Sequence, residues 1–179
     1  MKSYIPHSVM EVLLPYISAL SVVDKGPYSR EAWEQVADTR YDFEGNRHVW
    51  FLAAGCSREA YGVECEDGEH RVIKIETLPA IGSNKRERFL WDMVKDTEWA
   101  RHFFGLYEES YKHPEIIVQD MAKTKGSLKD ERLFYMKAEE LELKLKSQRI
   151  HLADMRYSAN GVIVGGEVKL FDYGHCRIK

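Results

Sequence analysis

Cysteine is scarce and patternless. Cys56, Cys65 and Cys176 are odd in number, widely spaced and form no Cys-x-x-Cys pair. That argues against a disulfide frame or a thiolate zinc site and fits buried or incidental reduced thiols in a cytosol. Long apolar runs are missing too. The N-terminal stretch Met10-Glu-Val-Leu-Leu-Pro-Tyr-Ile is broken by Glu11 and Pro15, so neither a signal peptide nor a membrane span is expected. Charge of one sign is also lacking: the net charge is −3, with acids and bases evenly mixed, so nucleic acid is not favoured as a partner. No repeat or low-complexity segment occurs. The expectation is a soluble cytoplasmic protein. At 179 residues it exceeds the usual domain of about 100–150 residues, enough to bury a core without staples, and reads as one domain with two lobes.

Apolar residues at Val9, Val12, Leu13, Ile17 and Leu20 predict a helix over 7–21, weakened at Pro15. Ser29 caps a second over about 29–38. From His48 the texture changes to strands: a buried Val49-Trp-Phe-Leu-Ala-Ala54, then Tyr61-Gly-Val-Glu-Cys65, then Arg71-Val-Ile-Lys74-Ile75. Ser83 or Asn84 caps a long helical pattern with Phe89, Val94 and Phe103 as buried candidates. Two further strands are expected at Gly105-Leu-Tyr and Glu115-Ile-Ile-Val-Gln119, around a Lys112-His-Pro114 turn. A last helix runs from Gly126-Ser127 to about Gln148, with Leu133, Met136, Glu140, Leu141 and Leu145 along one face. Runs of strands with few helices indicate α+β with an antiparallel sheet, not an alternating βαβ order.

The C-terminal stretch carries the chemistry. Asp154-Met-Arg-Tyr-Ser-Ala-Asn160 leads into Gly161-Val-Ile-Val, a Gly165-Gly166 turn, Val168-Lys-Leu-Phe and then Asp172-Tyr173-Gly174. An acid, an Asn, and a hairpin ending in a second acid suit a magnesium–nucleotide site, because hard cations take oxygen ligands and keep phosphate and water in their other positions. An Asn and an Asp flanking a hairpin also occur for backbone reasons alone. Lys74 sits in a strand and points either inward or to solvent.

These motifs, in this order over about residues 48–176, resemble the protein kinase-like superfamily, in the style of compact bacterial and phage-type members. The resemblance implies an antiparallel five-stranded N-lobe with one helix (48–122), a truncated C-lobe (123–179) and an N-terminal helical extension (1–47). Gly55-Cys-Ser57-Arg-Glu-Ala60 stands for the phosphate-covering loop, with Ser57 and Ala60 where the family has glycines; a plain hairpin turn is the other reading. Lys74 stands for the lysine on the α and β phosphates. Glu87 stands for the helix acid that positions it, with Asp92, Asp96 and Glu98 as rivals. Asp120, Met121 and Ala122 fall where the hinge would meet the adenine, although Met121 is also a plausible core filler.

His151 and Asp154 resemble the family's His-x-Asp, with Asp154 as base and Arg156 as a phosphate contact. Asn160 and Asp172 stand for the magnesium ligands. The His151-to-Asp154 and Asp154-to-Asn160 intervals are each one residue longer than the family pattern. The remaining histidines show no ligand spacing. The implied function is binding of ATP with Mg2+ and transfer of the γ-phosphoryl group to a protein Ser, Thr or Tyr hydroxyl. The alternative is an inactive kinase-fold module that binds or inhibits a protein partner. With no activation segment and no helical C-lobe after Asp172-Tyr173-Gly174, substrate docking is expected to come from elsewhere.

Overall fold

The computed structural model describes residues 5–25, 29–77, 82–122, 128–153, 160–174 and 176–178. The chain divides into two compact units: Met1–Gly82 with Tyr107–Met121, and Ser83–Leu106 with Ala122–Lys179.

The first unit opens with α1 (His7–Lys25) and α2 (Arg30–Glu44). Val9, Leu13, Tyr16, Ile17 and Leu20 form the buried stripe of α1. Pro15 lies on its exposed side, where the backbone bond it deletes can be replaced by water. The Ser29 side chain accepts from the Ala32 amide at 3.1 Å, which fixes the start of α2, and the helix runs past the expected 38 to Glu44. Four antiparallel strands follow in the order β1 (Val49–Ala54), β2 (Arg58–Glu64), β3 (His70–Glu76) and β4 (Ile116–Asp120). Alternate residues Tyr61, Val63, Ile73, Ile75, Ile116 and Val118 share one core with the α1 and α2 stripes. The other alternation therefore faces away from the helices.

Two expectations fail in this unit. Among the described residues the sheet has four strands, not five. Gly105-Leu-Tyr forms no strand among the described residues: Leu106 makes an isolated bridge and the Tyr107 amide bonds to the Val118 carbonyl at 2.9 Å, before the chain turns into the short helix α4 (Glu109–Lys112). The Ser110 hydroxyl then takes the Val118 amide at 2.7 Å and donates to its carbonyl at 3.3 Å, so a side chain occupies the edge where a fifth strand would lie. Nor is β1 a buried strand. It is an edge strand, exposed from Phe51 onward. A short apolar run reads alike in either position.

The second unit contains α3 (Ser83–Val94), a 3-10 turn at Glu98–His102, α5 (Leu128–Ser147), and two strand pairs: β5 (Ile150–Leu152) with β8 (Cys176–Ile178), and β6 (Gly161–Val164) with β7 (Glu167–Leu170). Val94 and Phe103 are buried as expected, whereas Phe89 is 58% exposed and Leu90 takes the inward position. On α5 the buried face is Phe134, Ala138, Leu141 and Leu145; Leu133 and Met136 lie outside. The β6–β7 hairpin turns on Gly165 and Gly166, at φ +60° and +83°, the pair of left-handed residues a two-residue turn requires. A Cβ at Gly161 would lie 2.8 Å from the Lys169 carbonyl and 3.0 Å from the Phe134 ring, so α5 approaches the hairpin closely here.

Candidate functional site

In the first unit, the β1–β2 connection is a tight turn closed by the Gly55 amide donating to the Arg58 carbonyl at 2.8 Å. Ser57 is buried, and its carbonyl accepts the Thr77 amide at 2.9 Å, tying the turn to the end of β3. Ala60 lies directly opposite Lys74 on β3, and Lys74 lies opposite Ile117 on β4. Lys74 is 5% exposed, which excludes the solvent-facing reading. Its neighbours Ile73 and Ile75 point into the core with α1 and α2. By strand alternation Lys74 therefore occupies the opposite face, with Ala60 beside it.

The hinge candidates end β4. Asp120 is exposed and accepts a hydrogen bond from the Tyr107 hydroxyl; burial, reinforced by that bond, holds the phenol's pKa above its usual value. Opposite it on β3, Arg71 lies over the Tyr107 ring at 4.6 Å and grips Asp67 with two bonds of 2.9 and 2.6 Å. The Met121 amide already donates to the His70 carbonyl at 3.3 Å, so the sheet uses the donor the resemblance would offer to a base.

A second polar cluster binds the N-terminal helices to β2. Tyr16 donates to Glu59 at 2.8 Å, and the Tyr61 oxygen lies 2.9 Å from both Glu59 and Glu44. Arg40 spans the two carboxylates at 2.9 and 3.0 Å. Burial, reinforced by the carboxylates, pushes both phenols well above their ordinary pKa. Glu59 directly precedes Ala60, so α1 and α2 brace the strand that carries the candidate phosphate loop. The sequence reading missed this link because its partners are far apart along the chain. Of the cysteines, Cys56 is a free exposed thiol in that loop and Cys65 a free buried one, its pKa raised by burial.

In the second unit, burial separates Glu87 from its rivals. Glu87 is fully buried on α3. Asp92, Asp96 and Glu98 are exposed, and Asp92 pairs with Lys95 at 2.9 Å. Asp154 and Arg156 fall outside the described residues. His151 lies on β5 opposite Arg177. Asn160 and Asp172, twelve positions apart, are drawn together: the Asn160 carbonyl accepts the amides of both Phe171 and Asp172, at 3.0 and 3.1 Å. The hairpin register runs from Val164↔Glu167 to Gly161↔Leu170, and these bonds extend it to its open end. Both residues are half-buried there.

An amide and a carboxylate are hard oxygen donors, suited to a cation that keeps phosphate and water among its ligands. The described residues contain no group of three or more His, Cys, Asp or Glu able to hold a metal ion by themselves. The oxygen donors of Asn160 and Asp172 are of the type that shares a hard cation with phosphate. No helix among the described residues is long and apolar enough to cross a membrane.

No protein-family model matches the sequence, and no curated protein matches it. Solved structures do. Rv3197 from Mycobacterium tuberculosis, in complex with erythromycin, superposes with a TM-score of 0.52 at 14% identity, over 96% of this chain and 59% of that one. The streptomycin–ATP–APH(2″)-IIa ternary complex gives a TM-score of 0.47 at 10% identity, over 86% of this chain and 74% of that one. The likeness is one of fold, and the fold is protein kinase-like. The chain spans 59% of Rv3197.

Proposed function

We propose that this protein binds ATP with Mg2+ and transfers the γ-phosphoryl group to a hydroxyl acceptor. The observation that carries the reading is the pairing of Asn160 and Asp172 through one carbonyl, which sets an amide and a carboxylate at the same hairpin end. Buried Lys74 beside Ala60, and fully buried Glu87 on α3, support it. In this reading Asn160 and Asp172 hold the cation, which when bound neutralises phosphate charge. Lys74 neutralises the α and β phosphates, and Glu87 is the helix acid that the resemblance assigns. The small residues at Gly55, Ser57 and Ala60 let backbone amides approach the phosphates. Asp120 and Ala122 present backbone groups to the base, since the Met121 amide is bonded to the His70 carbonyl.

Asp154 accepts the proton of the attacking hydroxyl, and Arg156 contacts phosphate. The acceptor oxygen forms a bond to the γ-phosphorus, the bond to the β–γ bridging oxygen breaks, and ADP leaves with that electron pair. Positioning and charge neutralisation dominate such a transfer, and these residue types supply both.

The acceptor in this reading is a protein Ser, Thr or Tyr hydroxyl. A small-molecule hydroxyl is the second reading, favoured by the fold likeness to a protein solved with erythromycin. Incubation with γ-labelled ATP and Mg2+, with cell lysate in one arm and erythromycin or streptomycin in another, separates them. Transfer to protein lost in Asp154→Ala supports the first; label on the antibiotic supports the second. No transfer in any arm, with partner capture unaffected by Asp172→Ala, would instead make the chain a binding module on an inherited scaffold.

A further inference from the structure

The backbone around Asp172 is tied down on both sides, by hydrogen bonds the kinase resemblance does not assign. Before it, the Leu170 carbonyl accepts the Phe104 amide at 2.8 Å, and Phe103 forms a parallel bridge to Leu170. Buried His102 places Nδ1 3.0 Å from the Val168 carbonyl, so the segment 102–104 lines β7 like a third strand. After it, Tyr173 is 2% exposed, with its ring edge-on to Phe103 at 5.1 Å and its hydroxyl donating to the Phe104 carbonyl at 2.8 Å. Phe104 thus takes Leu170 with its amide and Tyr173 with its carbonyl, bracketing Asp172 between them. One residue further on, Arg86 Nε donates to the Gly174 carbonyl at 2.7 Å, and its Nη2 lies 3.4 Å from the hydroxyl of fully buried Ser83. A phenylalanine at 173 would keep the ring contact and lose the bond to Phe104.

We infer that Tyr173 and Arg86 are positioning residues that hold the Asp172 carboxylate ready for the divalent cation before it arrives. The inference rests on the reading of Asp172 as a cation ligand. Groups that orient a metal ligand are worth about 10–100-fold in metal affinity, because without them the ligand must be ordered when the cation binds. Neither residue touches the nucleotide in this account. Their loss should therefore weaken only the magnesium-dependent part of binding.

The test is calorimetric titration with ATP, once with excess Mg2+ and once with EDTA, in wild type, Tyr173→Phe, Arg86→Gln, Arg86→Lys and Asp172→Asn. The ratio of the two dissociation constants reports the cation's share. Tyr173→Phe and Arg86→Gln should each reduce that ratio about tenfold through the Mg2+ arm alone, leaving the EDTA arm at the wild-type value. Arg86→Lys, which can still donate one bond to the Gly174 carbonyl, should recover part of it. Asp172→Asn should abolish the ratio.

If Asp172→Asn collapses the ratio while Tyr173→Phe and Arg86→Gln leave it unchanged, the positioning role is overturned and the reading of Asp172 survives. Equal weakening in both arms would mean a structural role only, and also overturns the proposal. A ratio untouched by Asp172→Asn removes the reading and the proposal together. Tyr173→Phe keeps the buried ring, so it gives a folded variant even where Arg86→Gln does not fold.

Discussion

Lys74 is a long cationic side chain on an inner strand with 5% of its surface exposed, and burial of that kind persists only where the charge is compensated. Lys74→Ala should abolish nucleotide binding in the titration above. Lys74→Met, which keeps the apolar stem and removes the charge, should do the same and should also melt lower than wild type, because it leaves the compensating group buried without its partner. A drop in melting temperature with intact ATP affinity would assign the lysine to packing.

Asp67 makes a pH prediction at the same scale. The Arg71 fork beside it holds its pKa down to about 2, from an ordinary value of 3.8. A depressed carboxylate contributes stability that is full above the unfolded value and is lost as pH falls through the folded one. Denaturation midpoints should therefore decline between about pH 4 and 2, and Asp67→Asn should flatten that part of the curve. Gly161→Ala should destabilise the second unit by about 1–3 kcal/mol, because the new methyl meets the Lys169 carbonyl at 2.8 Å and backbone cannot yield as a side chain does. Urea denaturation measures it directly.

At the scale of elements, the cluster of Tyr16, Tyr61, Glu44, Glu59 and Arg40 is the polar joint between α1, α2 and β2. Both phenols are raised above their usual pKa of 10, so the stability they confer is complete below pH 10 and is lost as pH rises further. Melting temperature should hold to about pH 10 and then fall steeply. Tyr16→Phe should soften the fall, while lowering stability at neutral pH by roughly 1 kcal/mol for the lost bond to Glu59.

Elements with local signals were legible in the sequence. Ser29 capped α2, and Gly165-Gly166 set a register that brought Asn160 to Asp172. Elements whose outcome depends on what packs against them were not. Residues 133–145 of α5 offer more than one apolar stripe, and packing against β5, β6 and β7, including the close approach of Gly161 to Phe134, selects the one that is buried. Ser110 displaced an expected fifth strand with a side chain, a substitution that leaves no periodic trace.

For the whole molecule, the order of strands, helix and hairpin sufficed to indicate a protein kinase-like fold, and the superposition on Rv3197 agrees at the level of fold. The residues that brace the site were hidden, because 88 positions separate Arg86 from Gly174 and 69 separate Phe104 from Tyr173. No spacing rule links groups so distant.

The central claim, that the folded chain binds ATP with Mg2+, has one direct measurement: thermal unfolding with and without the ligand. At about 100 times the dissociation constant, a ligand that binds only the folded state adds roughly 2.7 kcal/mol, or about 5–10 °C in melting temperature for a chain of this size. ATP with Mg2+ should give that rise, and ATP with chelator a smaller one. Lys74→Ala and Asp172→Ala should remove most of it, whereas Asp154→Ala should retain it, because a base acts on the acceptor hydroxyl. A wild-type melting curve unmoved by saturating ATP and Mg2+ would contradict the account.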